Sequence, residues 1–188
     1  MVYNIDDIRA ILKNKLSEKR YEHTLGVEYT AAALAMRYGA DMNKARVAGL
    51  LHDCAKYFPG EKLLAKCRKH HLEINQYEQD YPELLHAKVG AYLASSKYGV
   101  QDEEILSAIT WHTTGRPDMT LLDKIIYIAD YIEPNRNKAP DLDEIRELAF
   151  KDLDECLMTI LSHTLSYLKE KGSVIDPTTF ATYEYYRR

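Results

Sequence analysis

Apolar residues recur along the chain at spacings of three and four, the signature of helices with one buried face. Ile5, Ile8, Ile11, Leu12 and Leu16 make the first such face, behind an Asn4 suited to cap it. Ser17 can cap a second helix that ends at Gly39, and Asp41 a third that Phe58-Pro59-Gly60 stops. Further helices are predicted from about Glu61 to His71, from Pro82 to Tyr98 before Gly99, and from Asp102 to Thr114 before Gly115-Arg116-Pro117. Thr120 opens another, which Pro134 closes. After the polar stretch Asn135 to Pro140, Leu142 to Lys171 reads as one long helix or two shorter ones, and Thr178 to Arg188 as a short last one. No segment alternates convincingly with period two, so the expected fold class is all-α. No internal repeat, low-complexity tract or Gly/Pro/Ser-rich linker divides the chain, and residues 1–188 are expected to form a single domain.

Several of these helical segments carry a polar group among their apolar residues. His23 lies between Tyr21 and Leu25. His52 and Asp53 follow Val47-Ala48-Gly49-Leu50-Leu51, His86 follows Leu84-Leu85, His112 follows Ile109-Thr110-Trp111, and Asp130 follows Ile125-Ile126-Tyr127-Ile128-Ala129. A buried imidazole or carboxylate left unsatisfied costs roughly 1 to 3 kcal/mol even when neutral. Any one of the histidines alone reads as a core histidine bonded to a backbone carbonyl. Six such groups on five helices satisfy one another most simply around metal. His70 and His71 sit among Lys66, Arg68, Lys69 and Glu73 and read as solvated surface, and His163 as structural. Cys54 points about 100° away from Asp53 on a regular helix and reads as a small core residue.

Charge narrows the partners. Lys plus Arg number 25 against 29 Asp plus Glu, a net charge of -4, which gives no reason to expect tight nucleic-acid binding. Cys54, Cys67 and Cys156 are an odd number without CxxC spacing, against both a disulfide framework and a thiolate zinc site, so a reducing, cytoplasmic setting is expected. The start, Met-Val-Tyr-Asn-Ile-Asp-Asp, lacks the basic flank and apolar run of a signal peptide, and no stretch approaches the ~18 apolar residues of a membrane span.

The order His23, His52-Asp53, Asp130 resembles the H...HD...D signature of the HD superfamily, all-helical metal-dependent phosphohydrolases. His86 and His112 match the extended pattern of its two-metal subgroup. Arg20-Tyr21-Glu22-His23, His52-Asp53-Cys54-Ala55-Lys56, His112-Thr113-Thr114-Gly115 and the run from Leu122 through Asp130 to Arg136 are similar to the YqeK family of symmetrical bis(5'-nucleosyl)-tetraphosphatases. That resemblance implies an HD-type helical bundle with its metal site between core helices: a metal-site core at about 17–134 and C-terminal helices at about 141–188. It also implies cleavage of diadenosine tetraphosphate into two ADP, and iron.

The residue types suit that chemistry. Four imidazoles and two carboxylates without thiolate fit two divalent ions of iron, manganese, cobalt, nickel or zinc better than copper(I) or calcium, and iron rests on the resemblance alone. A bridging Asp53 explains its adjacency to His52, with His23, His52 and Asp130 completing one site and His86 and His112 holding the second; two ions so placed activate water and need no protein nucleophile. Their charge makes a positive centre in an acidic protein, where phosphate is drawn. On a helix Lys56 would share the face of His52 and Asp53 and could meet a bound phosphate; Arg20 and Arg136 are placed for outer phosphates, and Thr113 and Thr114 for hydrogen bonds to the same anion. The histidines at 86 and 112 are also candidates for substrate contact, and Tyr183 or Tyr186 for stacking on a base; a solvated or packing role is the plain alternative for each of these. The expected partner is a small nucleotide, with ADP or GDP as a product-like ligand, and neither nucleic acid nor membrane; a homodimer is left open. Competing readings are an HD phosphohydrolase of another nucleotide, a mixed-valence di-iron oxygenase, and a non-catalytic nucleotide-binding module.

Overall fold

The computed structural model describes residues 3–187; Met1 and Val2, at the start read for a signal peptide, and Arg188, at the predicted end of the last helix, lie outside them. Among the described residues there are eleven α-helices, one 3-10 turn and no strand, and they share one apolar core. The helices are α1 (Ile5–Lys15), α2 (Glu18–Tyr38), α3 (Met42–Leu51), α4 (Gly60–Lys69), α5 (Gln76–Asp80), α6 (His86–Tyr98), α7 (Glu103–Trp111), α8 (Leu121–Ile132), α9 (Leu142–Lys151), α10 (Leu153–Glu170) and α11 (Pro177–Tyr186). The 3-10 turn, Pro82–Leu85, runs straight into α6.

Local chemistry sets most boundaries. Asn4, Ser17, Asp41, Asp102 and Thr120 all accept hydrogen bonds from the first-turn N–H groups of the helices they precede, as predicted for all but Asp102, expected inside its helix. Asp152 both ends α9 and caps α10, which resolves the Leu142–Lys171 stretch into two helices. Asp176 caps α11 with Pro177 in its first turn.

Two predicted helices end early, and both departures fall at the site. The segment expected to run from Asp41 to Phe58 is helical only to Leu51; from His52 it is a chain of tight turns, with Cys54 N–H donating to Leu51 O, Lys56 N–H to Asp53 O and Phe58 N–H to Ala55 O. The helix predicted over Asp102 to Thr114 stops at Trp111, and His112 to Thr114 turn out of it. The Pro82–Tyr98 stretch likewise divides, because Pro82–Leu85 is wound tighter than the α-helix that follows.

Helix α8 is the hub. Leu122, Ile125, Ile126, Ile128, Ala129 and Ile132 are all buried, and the helix packs against α2, α3, α7 and α10. So wide an apolar surface has to be covered on several sides. The long α2 lies along α3, and α7 packs against α6, α3 and α8, so the ends of α3, α7 and α8, the start of α6 and the first turns of α2 converge on one side of the core. Helix α11 seats on the turn after α7: Thr182 donates to Thr114 O at 3.3 Å, and Met119 N–H donates to the Tyr186 hydroxyl at 2.7 Å.

Candidate metal centre

His23, His52, Asp53, His86 and His112 are buried, and Asp130 is half-buried beside them. Each histidine turns Nδ1 outward to an acceptor: His52 to Gly49 O at 2.6 Å, His86 to Glu83 O at 2.6 Å, His112 to Ile109 O at 2.8 Å and His23 to Glu133 Oε1 at 3.0 Å. A carbonyl only accepts, so Nδ1 must carry the proton and a neutral ring presents an Nε2 lone pair. Those Nε2 atoms face one another: His23 and His52 at 3.3 Å, His86 and His112 at 3.2 Å.

The two carboxylates complete the ring. Asp130 Oδ1 is 3.1 Å from His23 Nε2 and 4.0 Å from His52 Nε2. Asp53 spans the centre, with Oδ1 at 3.2 Å from His86 Nε2 and 3.6 Å from His112 Nε2, and Oδ2 at 3.6 Å from His52 Nε2 and 3.9 Å from His23 Nε2. Ligand atoms of His23, His52 and Asp130 lie within 4.8 Å of one another, and so do those of His52, Asp53 and His112. This donor set fits divalent cations. Lone pairs opposed at such distances repel unless positive charge lies between them, and among the described residues only the Thr113 hydroxyl, 3.1 Å from His112 Nε2 and 3.4 Å from His86 Nε2, offers a neutral proton within the ring.

The HD domain family model matches residues 20–135, the span from Arg20 to the residue before Arg136. The chain belongs to the HD domain family. It is 46% identical to a Bacillus subtilis (strain 168) protein named "Bis(5'-nucleosyl)-tetraphosphatase, symmetrical", over 97% of each chain. A Staphylococcus aureus (strain NCTC 8325 / PS 47) protein of the same name is 40% identical over 97% of this chain and 94% of its own. The fold superposes with a TM-score of 0.95 on the crystal structure of a Clostridium acetobutylicum protein described as a "predicted HD superfamily hydrolase involved in NAD metabolism", 43% identical, covering 100% of this chain and 98% of that one.

In this HD domain the electrostatics follow from burial and proximity. Burial pulls the His52 imidazole down to about 4 and lowers that of His86. Burial works in the same sense on His23, but the Asp130 and Glu133 carboxylates outweigh it and raise that ring. Burial alone would raise Asp53 and Asp130; the histidines around each, with Arg136 beside Asp130, hold both well below the ordinary carboxylate range.

The candidate phosphate contacts are distributed unevenly. Arg20 donates to Asp53 Oδ2 at 2.6 Å, and Arg136 to Asp130 Oδ1 at 2.6 Å and to the Asp130 carbonyl at 2.9 Å, so both guanidinium groups stand at the carboxylates. A cleft of about 660 Å³ opens from the centre, lined by Arg20, His23, His112, Thr113, Asp130 and Arg136 among others. That volume lies within the roughly 300–1,000 Å³ of small-molecule sites. His86 and Lys56 are not on its wall. The Lys56 ammonium lies 3.2 Å and 3.3 Å from the two ring nitrogens of His86, and an in-plane position equidistant from both would collide with Cε1, so it stands over the ring face. The turns after Leu51 put it there, not a shared helical face. Burial lowers its ammonium from the ordinary lysine range.

Three expectations need correction. Tyr183 packs on the core and Tyr186 is engaged with Met119, so neither lines the cleft; Tyr127 and Tyr131 do. Thr114 turns its hydroxyl onto the neighbouring Gly115 carbonyl. His70 is half-buried and stacks on Tyr92 at 4.2 Å, so it is not simply solvated. Sequence reasoning also passed over Lys19, Asn135, Asn137 and Lys138 on the cleft wall, and Glu133 behind His23.

Proposed function

We propose that this protein hydrolyses diadenosine tetraphosphate symmetrically into two ADP, at a centre of two divalent ions held by His23, His52, Asp53, His86, His112 and Asp130. The observation that supports the centre most directly is the convergence of four Nε2 lone pairs and two carboxylates beside a nucleotide-sized cleft, whose wall His23, His112 and Asp130 reach. The reaction is the one named for relatives that align with nearly the whole chain. Bound there, divalent ions supply Lewis-acid charge to a phosphoryl group and make water acidic enough to attack it near neutral pH. The donor set suits iron, manganese, cobalt, nickel or zinc, and the resemblance favours iron.

The side chains bind and orient. Arg20 and Arg136 flank the carboxylates from two sides of the cleft, with their remaining N–H groups available to phosphate oxygens. Lys19 and Lys138 add positive charge to the walls, Thr113 offers a hydroxyl next to His112, and Tyr131 gives a partly exposed ring for a base. One nucleoside diphosphate half lies in the cleft, and its terminal phosphorus is presented at Asp53. Lys56 and His86, behind the cleft wall, act on that terminal group only. The second ADP is then the leaving group, and binding of the remote nucleoside aids the chemical step by holding the phosphorus in line. The setting is the reducing cytoplasm, in keeping with three free, buried cysteines and with no described helix long and apolar enough to cross a membrane.

Chromatography of early products in isotopically labelled water tests the reading. ADP alone, with label in half of its molecules, is expected. Equimolar ATP and AMP at the first time points would refute symmetrical cleavage, and turnover that requires oxygen would point to oxygenase chemistry.

A further inference from the structure

Three of the four site histidines obtain their Nδ1 acceptor without any dedicated side chain. The last carbonyls of a helix have no partner within it. His52 stands just past α3 and uses Gly49 O, His112 stands just past α7 and uses Ile109 O, and His86 uses Glu83 O of the 3-10 turn it follows. His23 has no such option. It lies inside α2 (Glu18–Tyr38), where interior carbonyls are already taken by the N–H groups four residues on. Its Nδ1–H instead meets the carboxylate of Glu133, a side chain 1% exposed.

The surroundings fix that carboxylate. Pro134 forces Glu133 out of helical geometry, and its backbone is extended at φ -50°, ψ 151°. Its Oε2 accepts from Asn135 N–H at 2.8 Å, its backbone carbonyl from Arg136 N–H at 2.9 Å and from Arg146 at 3.2 Å. On α2, one turn beyond His23, stands Gly26. A Cβ there would fall 2.3 Å from Glu133 Oε2 and 3.1 Å from its Cδ. Glycine inside a helix costs about 0.5–1 kcal/mol relative to alanine, so its presence facing this carboxylate has a steric reason.

We propose that Glu133 is a positioning residue of the metal centre, which holds His23 as the Nδ1–H tautomer with its Nε2 lone pair turned inward, and that Gly26 is the vacancy this carboxylate needs. The inference rests on His23 being a ligand, and goes beyond it by assigning what makes a mid-helix histidine competent. Glu133→Gln is the sharp variant. The Asn135 N–H still requires an acceptor, so the amide oxygen faces Asn135 and the NH₂ faces His23; Nδ1 must then accept, and the ring proton moves to Nε2, where it blocks coordination.

Two measurements on metal-stripped protein, at a pH high enough for the raised His23 ring to be neutral, decide it. Imidazole ¹⁵N chemical shifts are expected to show His23 as Nδ1–H in the wild type and Nε2–H in Glu133→Gln. Affinity for Mn²⁺ in competition with a chelator is expected to fall about 10- to 100-fold for one bound ion, in Glu133→Gln and in Gly26→Ala alike. Wild-type affinity in either variant overturns the proposal, as does an affinity loss in Glu133→Gln with the His23 tautomer unchanged. If Glu133→Gln does not fold, Gly26→Ala decides: it retains the carboxylate but displaces it, and His23 must lose its Nδ1–H character with its ion. A wild type that binds no Mn²⁺ sinks the metal-centre reading instead, and the tautomer comparison still judges Glu133.

Discussion

The Arg20 guanidinium donates to Asp53 Oδ2 across 2.6 Å, tying the first turn of α2 to the carboxylate that spans the two halves of the centre. Asp53 Oδ1 meanwhile faces His86 and His112. Arg20 therefore reaches the place where a phosphoryl group would meet the centre, without being among its metal donors. Arg20→Ala is expected to keep metal content and lower kcat/KM about 10- to 100-fold, the size of one hydrogen bond to a charged group. Elemental analysis beside steady-state kinetics checks this; metal lost in proportion to activity would make Arg20 a support of Asp53 only.

Asp53→Asn is expected to lose turnover and metal together, because an amide supplies neither the charge nor two equivalent acceptor oxygens. The wild type is expected to carry close to two ions per chain, and His86→Ala and His112→Ala fewer. A stoichiometry of one in all three proteins would leave those histidines as direct phosphate contacts.

What the sequence made legible at this centre were the residue types and their helices. Caps at Asn4, Ser17, Asp41 and Thr120 depend on local hydrogen bonds and formed where their positions predicted, while Asp102, read as the first helical residue, turned out to be a cap as well. The HD domain was legible from six polar residues set against apolar runs. The ends of α3 and α7 were not, since no glycine or proline interrupts 52–57 or precedes Gly115, and what marks those ends is each histidine ring folding back onto its own helix-end carbonyl, a local bond that a histidine in an apolar run does not announce. Glu133 escaped because a glutamate beside Pro134 and Asn135 at a helix end reads as solvated. Its one local signal was Gly26, a glycine facing inward one turn after His23.

The metal-free protein is expected to lose stability as pH falls from about 6.5 toward about 4. His52, pulled down to about 4 by burial, and His86, also lowered, bind fewer protons folded than unfolded in that window, so acid favours the unfolded chain by up to ~1.4 kcal/mol per pH unit for each. His23, raised, acts in the opposite sense only above about 6.5, where the folded ring takes its proton first, and adds no slope below it. Below about 4 the depressed Asp53 and Asp130 continue the loss. Urea midpoints of chelator-treated protein between pH 7.5 and 4.5 measure this, and a midpoint that stays flat or rises on acidification would show that the buried rings are not held neutral.

Gly115 is expected to be the position through which α11 supports the centre. It follows His112, Thr113 and Thr114 in the turn after α7 and takes φ +65°, a left-handed conformation that costs an ordinary residue ~1–2 kcal/mol. A Cβ there would also meet Thr182 Cγ2 at 2.7 Å, on the helix whose Thr182 hydroxyl donates to Thr114 O. Gly115→Ala should therefore lower Tm by about 2–8 °C for a chain of this size. Gly115→Ala with Thr182→Ala should recover the steric part of that loss and keep the backbone part. Because the same turn carries His112 and Thr113, the single variant should also weaken binding of one metal ion, and the double variant should restore part of it. Thermal unfolding and chelator competition on the three proteins separate these outcomes. A Tm shift with unchanged metal affinity in Gly115→Ala would show that α11 stabilises the fold without positioning His112.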